Sequence, residues 1–260
     1  MAEVVPPELS LVAGDVLRTV RTYGRERLEF EFRLGHKAVA GAFRPGVDAA
    51  AWRRLKAALD SGHGWRVTHS ATTERLDDRG AKVVVDAHGR VTRVIHKKRL
   101  VHRDYDTDSP WCARASVSLE TEEPPHTAAD IATTYERRKE RWSYAYKCWS
   151  VDLTRVLGNL PHQLDDDAET YEVELELADT AELLTTAADH LVRWAWSIVR
   201  DLCALLAQNS NQNGTNPMSN GLSSASSDGM GAGPPNPPPP PRSRPLVPSA
   251  GNVVGSSSWS

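Results

Sequence analysis

The chain is 260 residues long and 40% hydrophobic, with eight tryptophans and a formal net charge of −3. Such a chain can bury one substantial core, and its charge excludes the overall basic field of a general nucleic-acid binder. Its three cysteines, Cys112, Cys148 and Cys203, are odd in number and far apart, which excludes a disulfide framework or a cysteine zinc site and predicts a reducing compartment.

Residues Met1 to Gly14 lack a basic stretch followed by an apolar run, so no signal peptide is predicted. No stretch of 18 apolar residues follows anywhere, and no membrane segment is predicted. The first chemically informative element is Leu28-Glu29-Phe30-Glu31-Phe32-Arg33-Leu34. A strand sends alternate side chains to opposite faces, so this segment has one apolar and one acidic face. After a turn at Pro45-Gly46, Asp48 is placed to cap a helix that buries Trp52, Leu55 and Leu59. Short strands are then predicted at Gly64–Ser70, Ala81–Asp86 and Val91–Arg103, the last two joined by a turn at Ala87-His88-Gly89. Further strands follow at Ala113–Glu122, Arg137–Lys147 and Trp149–Val156.

The strand Tyr171-Glu172-Val173-Glu174-Leu175-Glu176-Leu177 repeats the apolar–acidic alternation, and an amphipathic helix is predicted from Ala181 to Ala207. From Gln208 the composition turns to Asn, Ser, Gly and Pro, predicting a disordered tail over 208–260. Its Pro-Pro-Arg-Ser-Arg end, closing at Arg244, suits an SH3 or WW groove. The organisation expected is an N-terminal extension (1–25), a folded domain (26–207) and the tail. Many short strands without a βαβ rhythm predict a mainly β fold, a sandwich or closed barrel with flanking helices.

Carboxylates two apart on a strand lie roughly 7 Å from each other, so each acidic ladder holds like charges close together. They repel unless a cation sits among them, and a hard divalent ion such as Mg²⁺ or Mn²⁺ suits all-oxygen ligands. The period of two also groups bases: Lys97, Arg99 and Arg103 on one strand, Lys139, Arg141 and Ser143 on another. Arg114, Ser116, Ser118, Glu120 and Glu122 share a face on a third, and Ser150, Asp152 and Thr154 on a fourth. Ordinary surface ion pairs contribute only about 0–1 kcal/mol each, so stability alone gives little reason to gather so many. If the polar faces turn inward, the lumen holds metal-binding acids on some walls and Lys/Arg on others, which suits a triphosphate.

These segments resemble the fungal-type, metal-dependent mRNA 5′-triphosphatases of the triphosphate tunnel metalloenzyme superfamily, over about residues 26–195. The resemblance rests on Leu28 to Gly35, Asp86 with Gly89-Arg90-Val91, Lys98-Arg99, Val117-Ser118-Leu119 leading to Glu122, Glu136 to Tyr144, Val151 to Val156, and Tyr171 to Glu176. It implies an eight-stranded antiparallel tunnel that removes the γ-phosphate of 5′-triphosphate RNA in mRNA capping. By position, Glu29, Glu31 and Glu176 would ligate the metal, with Glu172 and Glu174 completing the acidic cluster. Arg99, Lys139 and Arg141 would hold the triphosphate, Glu122 would orient the attacking water, Asp152 and Thr154 would line the floor, and Arg33 would add positive charge.

One departure stands out: Ser150 occupies a position where the family usually has Arg. The implied partners are the RNA end and an mRNA guanylyltransferase, and the implied location is the nucleus, or a cytoplasmic factory for a viral source. Two other functions remain open on the sequence: hydrolysis of small triphosphates (tripolyphosphate, thiamine triphosphate or nucleotides) in the same tunnel, and a non-catalytic anion-binding scaffold.

Overall fold

The two acidic segments are neighbouring strands. The structure is a computed structural model and describes residues 6–38, 41–77, 79–124, 133–158 and 169–208. Helix α1 (Leu9–Tyr23) leads to β1 (Leu28–Lys37), a short β2 (Phe43–Pro45), α2 (Ala49–Ser61), β3 (Arg66–Asp77), β4 (Lys82–Asp86) and β5 (Val91–Asp106). Then come β6 (Cys112–Glu123), β7 (Thr133–Tyr146), β8 (Trp149–Leu157), β9 (Glu169–Leu177) and α3 (Ala188–Ala207). The strands run in the order β2-β1-β6-β5-β4-β3-β7-β8-β9, and β9 pairs back onto β1. Eight antiparallel strands therefore close into the expected barrel, while β2 rides on the end of β1 as a ninth. Closure removes the free edges that an open sheet would expose.

The apolar faces of β1, β6, β8 and β9 point outward and pack against helices, as the strand pattern requires, while Val83 and Val85 of β4 and Val94 of β5 form a small separate cluster. Phe30, Phe32 and Leu34 of β1 are buried together with Val151 and Leu153 of β8, Val173 and Leu175 of β9, and Leu191, Trp196 and Val199 of α3. The Trp196 ring lies 6.2 Å from Phe32 and 5.5 Å from Tyr105. Asp48 caps α2 as predicted, accepting the Ala51 N–H at 2.7 Å, and Trp52, Leu55 and Leu59 are buried. Among the described residues no helix is long and apolar enough to cross a membrane.

Four differences from the sequence reading have local causes. Helix α1 lies in the stretch expected as an extension, yet its Leu9, Val12, Ala13 and Val16 belong to the main core. Strand β3 runs on to Asp77, well past its predicted end, because β4 supplies a partner for Thr72 to Leu76. The long C-terminal helix is broken: a 3-10 turn at Thr180–Leu184 ends where the Thr186 hydroxyl bonds the Glu182 carboxylate, and α3 starts afresh at Ala188. Strand β2 approaches β1 where Gly35 has no side chain, since a Cβ there would meet the Arg44 carbonyl oxygen at 2.0 Å. The tail beyond Gln208 and its polyproline end lie outside the described residues.

Candidate active site

Residues opposed across an antiparallel pair share a face, so the register decides what lines the barrel. Across β1 and β9, Glu31 stands opposite Glu176 and Arg33 opposite Glu174. Across β8 and β9, Ser150 faces Glu176, Asp152 faces Glu174 and Thr154 faces Glu172. Arg141 and Ser143 of β7 pair with Thr154 and Asp152, and Glu29 of β1 pairs with Ser118 of β6. All of these lie on the interior face. Both acidic ladders thus meet at the seam where the barrel closes.

Bases are threaded between the acids. Arg33 Nε donates to Glu31 at 3.1 Å while its Nη2 reaches Glu174 at 2.9 Å. Lys97 Nζ lies 2.5 Å from Glu29 and 3.3 Å from Glu31. Arg141 donates to Asp152 at 2.9 Å and to the Thr154 hydroxyl at 3.1 Å, with Glu174 at 3.5 Å. Lys139 sits between Glu74 at 3.2 Å and Glu172 at 3.7 Å, and Arg137 closes on Glu74 at 2.7 Å. Ser150 donates its hydroxyl to Asp152 at 2.7 Å. It offers no charge to Glu176 opposite.

The same threading sorts the carboxylates by protonation. Burial raises the Glu31 carboxyl, the nearby Glu174 charge adds to this, and Arg33 and Lys97 only partly oppose it. Burial would raise Glu174 too, but Arg33, Arg141, Lys139 and Lys97 together hold it below the ordinary value. Glu176 is pushed up to about 8 by burial and by the charges of Glu29, Asp152 and Glu174, with Arg141 opposing. Burial lowers the Lys139 amine despite Glu172 and Glu74 beside it. Buried acids held reluctant to ionise by burial and by one another mark this seam as a candidate functional site.

Among the described residues no three acids converge as a ready-made metal cage, because Arg33 and Lys97 stand between them. The donors nevertheless fit a hard divalent ion. They are all carboxylate oxygens, and Glu172 Oε2 is buried without a hydrogen-bond partner. Glu176 likewise has acids rather than bases as its main electrostatic neighbours.

Two expected residues stand apart from this cluster. Arg99 faces the interior beside Ser118 but is exposed. Glu122 also faces inward, pairing with Ile95, yet its side chain is 56% exposed and bound to Arg93. Glu120, one interior position deeper and opposite Lys97, is more enclosed. Arg103 does not share a face with Lys97 and Arg99. Leu100 is an extra, bulged residue, so Val101 rather than Leu100 opposes Val117, and Arg103 turns outward to Asp15 of α1 at 3.0 Å. Glu74 and Lys97 are site residues that the sequence reading did not assign. Lys97 was legible as part of a basic face, whereas Glu74 lay beyond the predicted end of its strand.

The sequence model of the family described as mRNA capping enzyme, beta chain, matches residues 42–192, more than half of the chain. No curated protein sequence matches. Solved structures that share the fold include two of one protein. One is the S. pombe Pct1 RNA triphosphatase in complex with the Spt5 CTD, at 18% identity and a TM-score of 0.65, covering 80% of this chain and 96% of that one. The other is S. pombe Pct1 alone, at 16% identity and a TM-score of 0.62, covering 80% and 95%.

Proposed function

The chain belongs to the mRNA capping enzyme beta-chain family, and on that premise we propose that its barrel lumen is the active site of an RNA 5′-triphosphatase. The reaction is hydrolysis of a phosphoric anhydride: water attacks the γ-phosphorus of a 5′-triphosphate end, releasing phosphate and leaving a 5′-diphosphate RNA. The observation that carries the assignment to this site is the meeting of both glutamate ladders on the inner face of a closed barrel whose other walls carry Lys and Arg.

Glu29, Glu31 and Glu176 would hold a divalent cation, Mg²⁺ or Mn²⁺, with Glu172 and Glu174 completing the acidic set. When bound, that ion supplies charge neutralisation to the transferring phosphoryl group. Arg141, Lys139, Arg33 and Arg99 grip the phosphate oxygens through charge-assisted hydrogen bonds. Asp152 and Thr154 hold Arg141 in place through the two bonds its guanidinium makes to them. Glu122 orients the attacking water, and the enclosed Glu120 beside it supports the same wall. Ser150 brings no charge to Glu176, whose main electrostatic neighbours are acids with Arg141 only partly opposing them, so a cation bound here would relieve Glu176 most.

The RNA end and an mRNA guanylyltransferase are the partners of this role, and the nucleus, or a cytoplasmic viral factory, is its location. The test is metal-dependent release of γ-phosphate from triphosphate-ended RNA measured beside release from tripolyphosphate. Cleavage of RNA ends supports the assignment. Cleavage of tripolyphosphate with RNA ends left intact makes the protein a small-triphosphate hydrolase, and no cleavage of either makes it a scaffold.

A further inference from the structure

The Lys97 ammonium lies between the two carboxylates of β1, 2.5 Å from Glu29 and 3.3 Å from Glu31. Its side chain is 20% exposed, and both carboxylates are less exposed still. Glu29 and Glu31 share this one ammonium, and Glu31 shares Arg33 with Glu174, so a divalent ion in place of the ammonium would bring one more positive charge to the ladder. Arg33 also touches the ladder, but its planar fork uses different nitrogens for Glu31 and Glu174 and so ties β1 to β9. Lys97 carries a compact charge on a flexible four-carbon stem, which can withdraw without disturbing any strand pairing.

We propose that Lys97 is a displaceable counter-ion: its ammonium holds the place between Glu29 and Glu31 in the metal-free protein and yields it to a divalent cation. Each binding event then frees one ammonium inside the lumen, where it is available to a phosphate chain. Metal binding and phosphate grip are thereby coupled through one side chain. This rests on the reading of Glu29 and Glu31 as metal ligands.

The test uses the full chain without RNA and Mn²⁺ as the probe, with free Mn²⁺ followed by electron paramagnetic resonance. Lys97→Met removes the competitor and lowers the Kd for Mn²⁺ at least tenfold, whereas Lys97→Arg, which keeps the charge, does not. An unchanged or raised Kd in Lys97→Met, or an equal fall in Lys97→Arg, overturns the proposal, as does a wild-type protein that binds no Mn²⁺. A second measurement needs no variant: acetylation of Lys97 by acetic anhydride, mapped by peptide mass, rises several-fold when Mn²⁺ is added to wild-type protein. Labelling that stays flat or falls also overturns it. A protein that passes these tests yet leaves triphosphate RNA intact keeps the counter-ion and loses the capping assignment, so the two failures are distinct.

Discussion

Glu74→Gln is the sharpest probe of how the lumen is held together. The Glu74 side chain is buried on β3 and faces three cations: Arg137 at 2.7 Å, Lys139 at 3.2 Å and Lys82 at 3.9 Å. Burial opposes its ionisation, but Lys139, Lys82 and Arg137 together hold the carboxyl at about 2 against an ordinary 4.5. Lys139 itself is lowered, burial outweighing its two acidic neighbours. The carboxylate is the better measure of this cluster, because three cations act on it while Lys139 bears the largest burial cost. At about 1.4 kcal/mol per pH unit, the charged state of Glu74 contributes about 3 kcal/mol at pH 7.

Because the folded value lies below the unfolded one, this contribution is fully present above about pH 4.5 and is lost as pH falls toward 2. Gln keeps the shape and removes the charge. Urea unfolding of the two proteins should therefore differ by about 3 kcal/mol at pH 7 and by roughly half of that at pH 3. Equal stability at pH 7, or a deficit that does not shrink on acidification, would refute the reasoning. The same variant should raise the KM for triphosphate RNA more than it lowers kcat, since Lys139 and Arg137 lose the group that aims them.

Glu31→Gln and Glu174→Gln should each reduce metal-dependent γ-phosphate release by at least about 100-fold, but their stabilities should part. Glu31→Gln should unfold at the wild-type temperature or above, because its charge is already disfavoured, whereas Glu174→Gln removes a charge that Arg33 and Arg141 both stabilise and should unfold lower. Glu176, raised to about 8, gives stability that is complete below about pH 4.5 and is lost as pH climbs through 8. Metal-free Glu176→Gln should therefore match wild type at pH 4.5 and exceed it at pH 8.5, by on the order of 4 kcal/mol, and Mn²⁺ should narrow that gap. Gly35→Ala should lower stability by roughly 1–3 kcal/mol in thermal unfolding, since its Cβ would press on the Arg44 carbonyl and the Phe43 ring.

Strand faces were legible because their period of two is local. Glu29, Glu31, Glu172, Glu174 and Glu176 could be placed on acidic faces from neighbours alone, and Asp152, Thr154, Lys139 and Arg141 on polar ones. What the pattern does not contain is partnership. That Arg33 bridges two ladders and that Lys97 divides Glu29 from Glu31 follow from the register between distant segments. Glu74 was hidden because the later part of β3, Ala71 to Asp77, is polar in sequence, without the apolar alternation that marks a strand, although Glu74 and Asp77 are buried there. Helix α1 was hidden for another reason: its apolar residues sit among polar ones in a stretch with no chemical motif. They acquire meaning only when α3 is packed against them.

The single inserted residue at Leu100 gives one strand two masters. Before it, Lys97 and Arg99 serve the watery lumen; after it, Val101, Arg103 and Tyr105 serve the helices wrapped around the outside. Were Leu100 instead to take the place opposite Val117, as in a strand without the bulge, every later residue would slip by one: Val101 and Tyr105 would turn toward the phosphate channel, and His102 and Asp104 into the oily layer beneath α1 and α3. Removing Leu100 would only flatten the bulge and leave those faces as they are, so it is the spare residue, and not the length of the strand, that lets so long a hydrophilic run change allegiance midway.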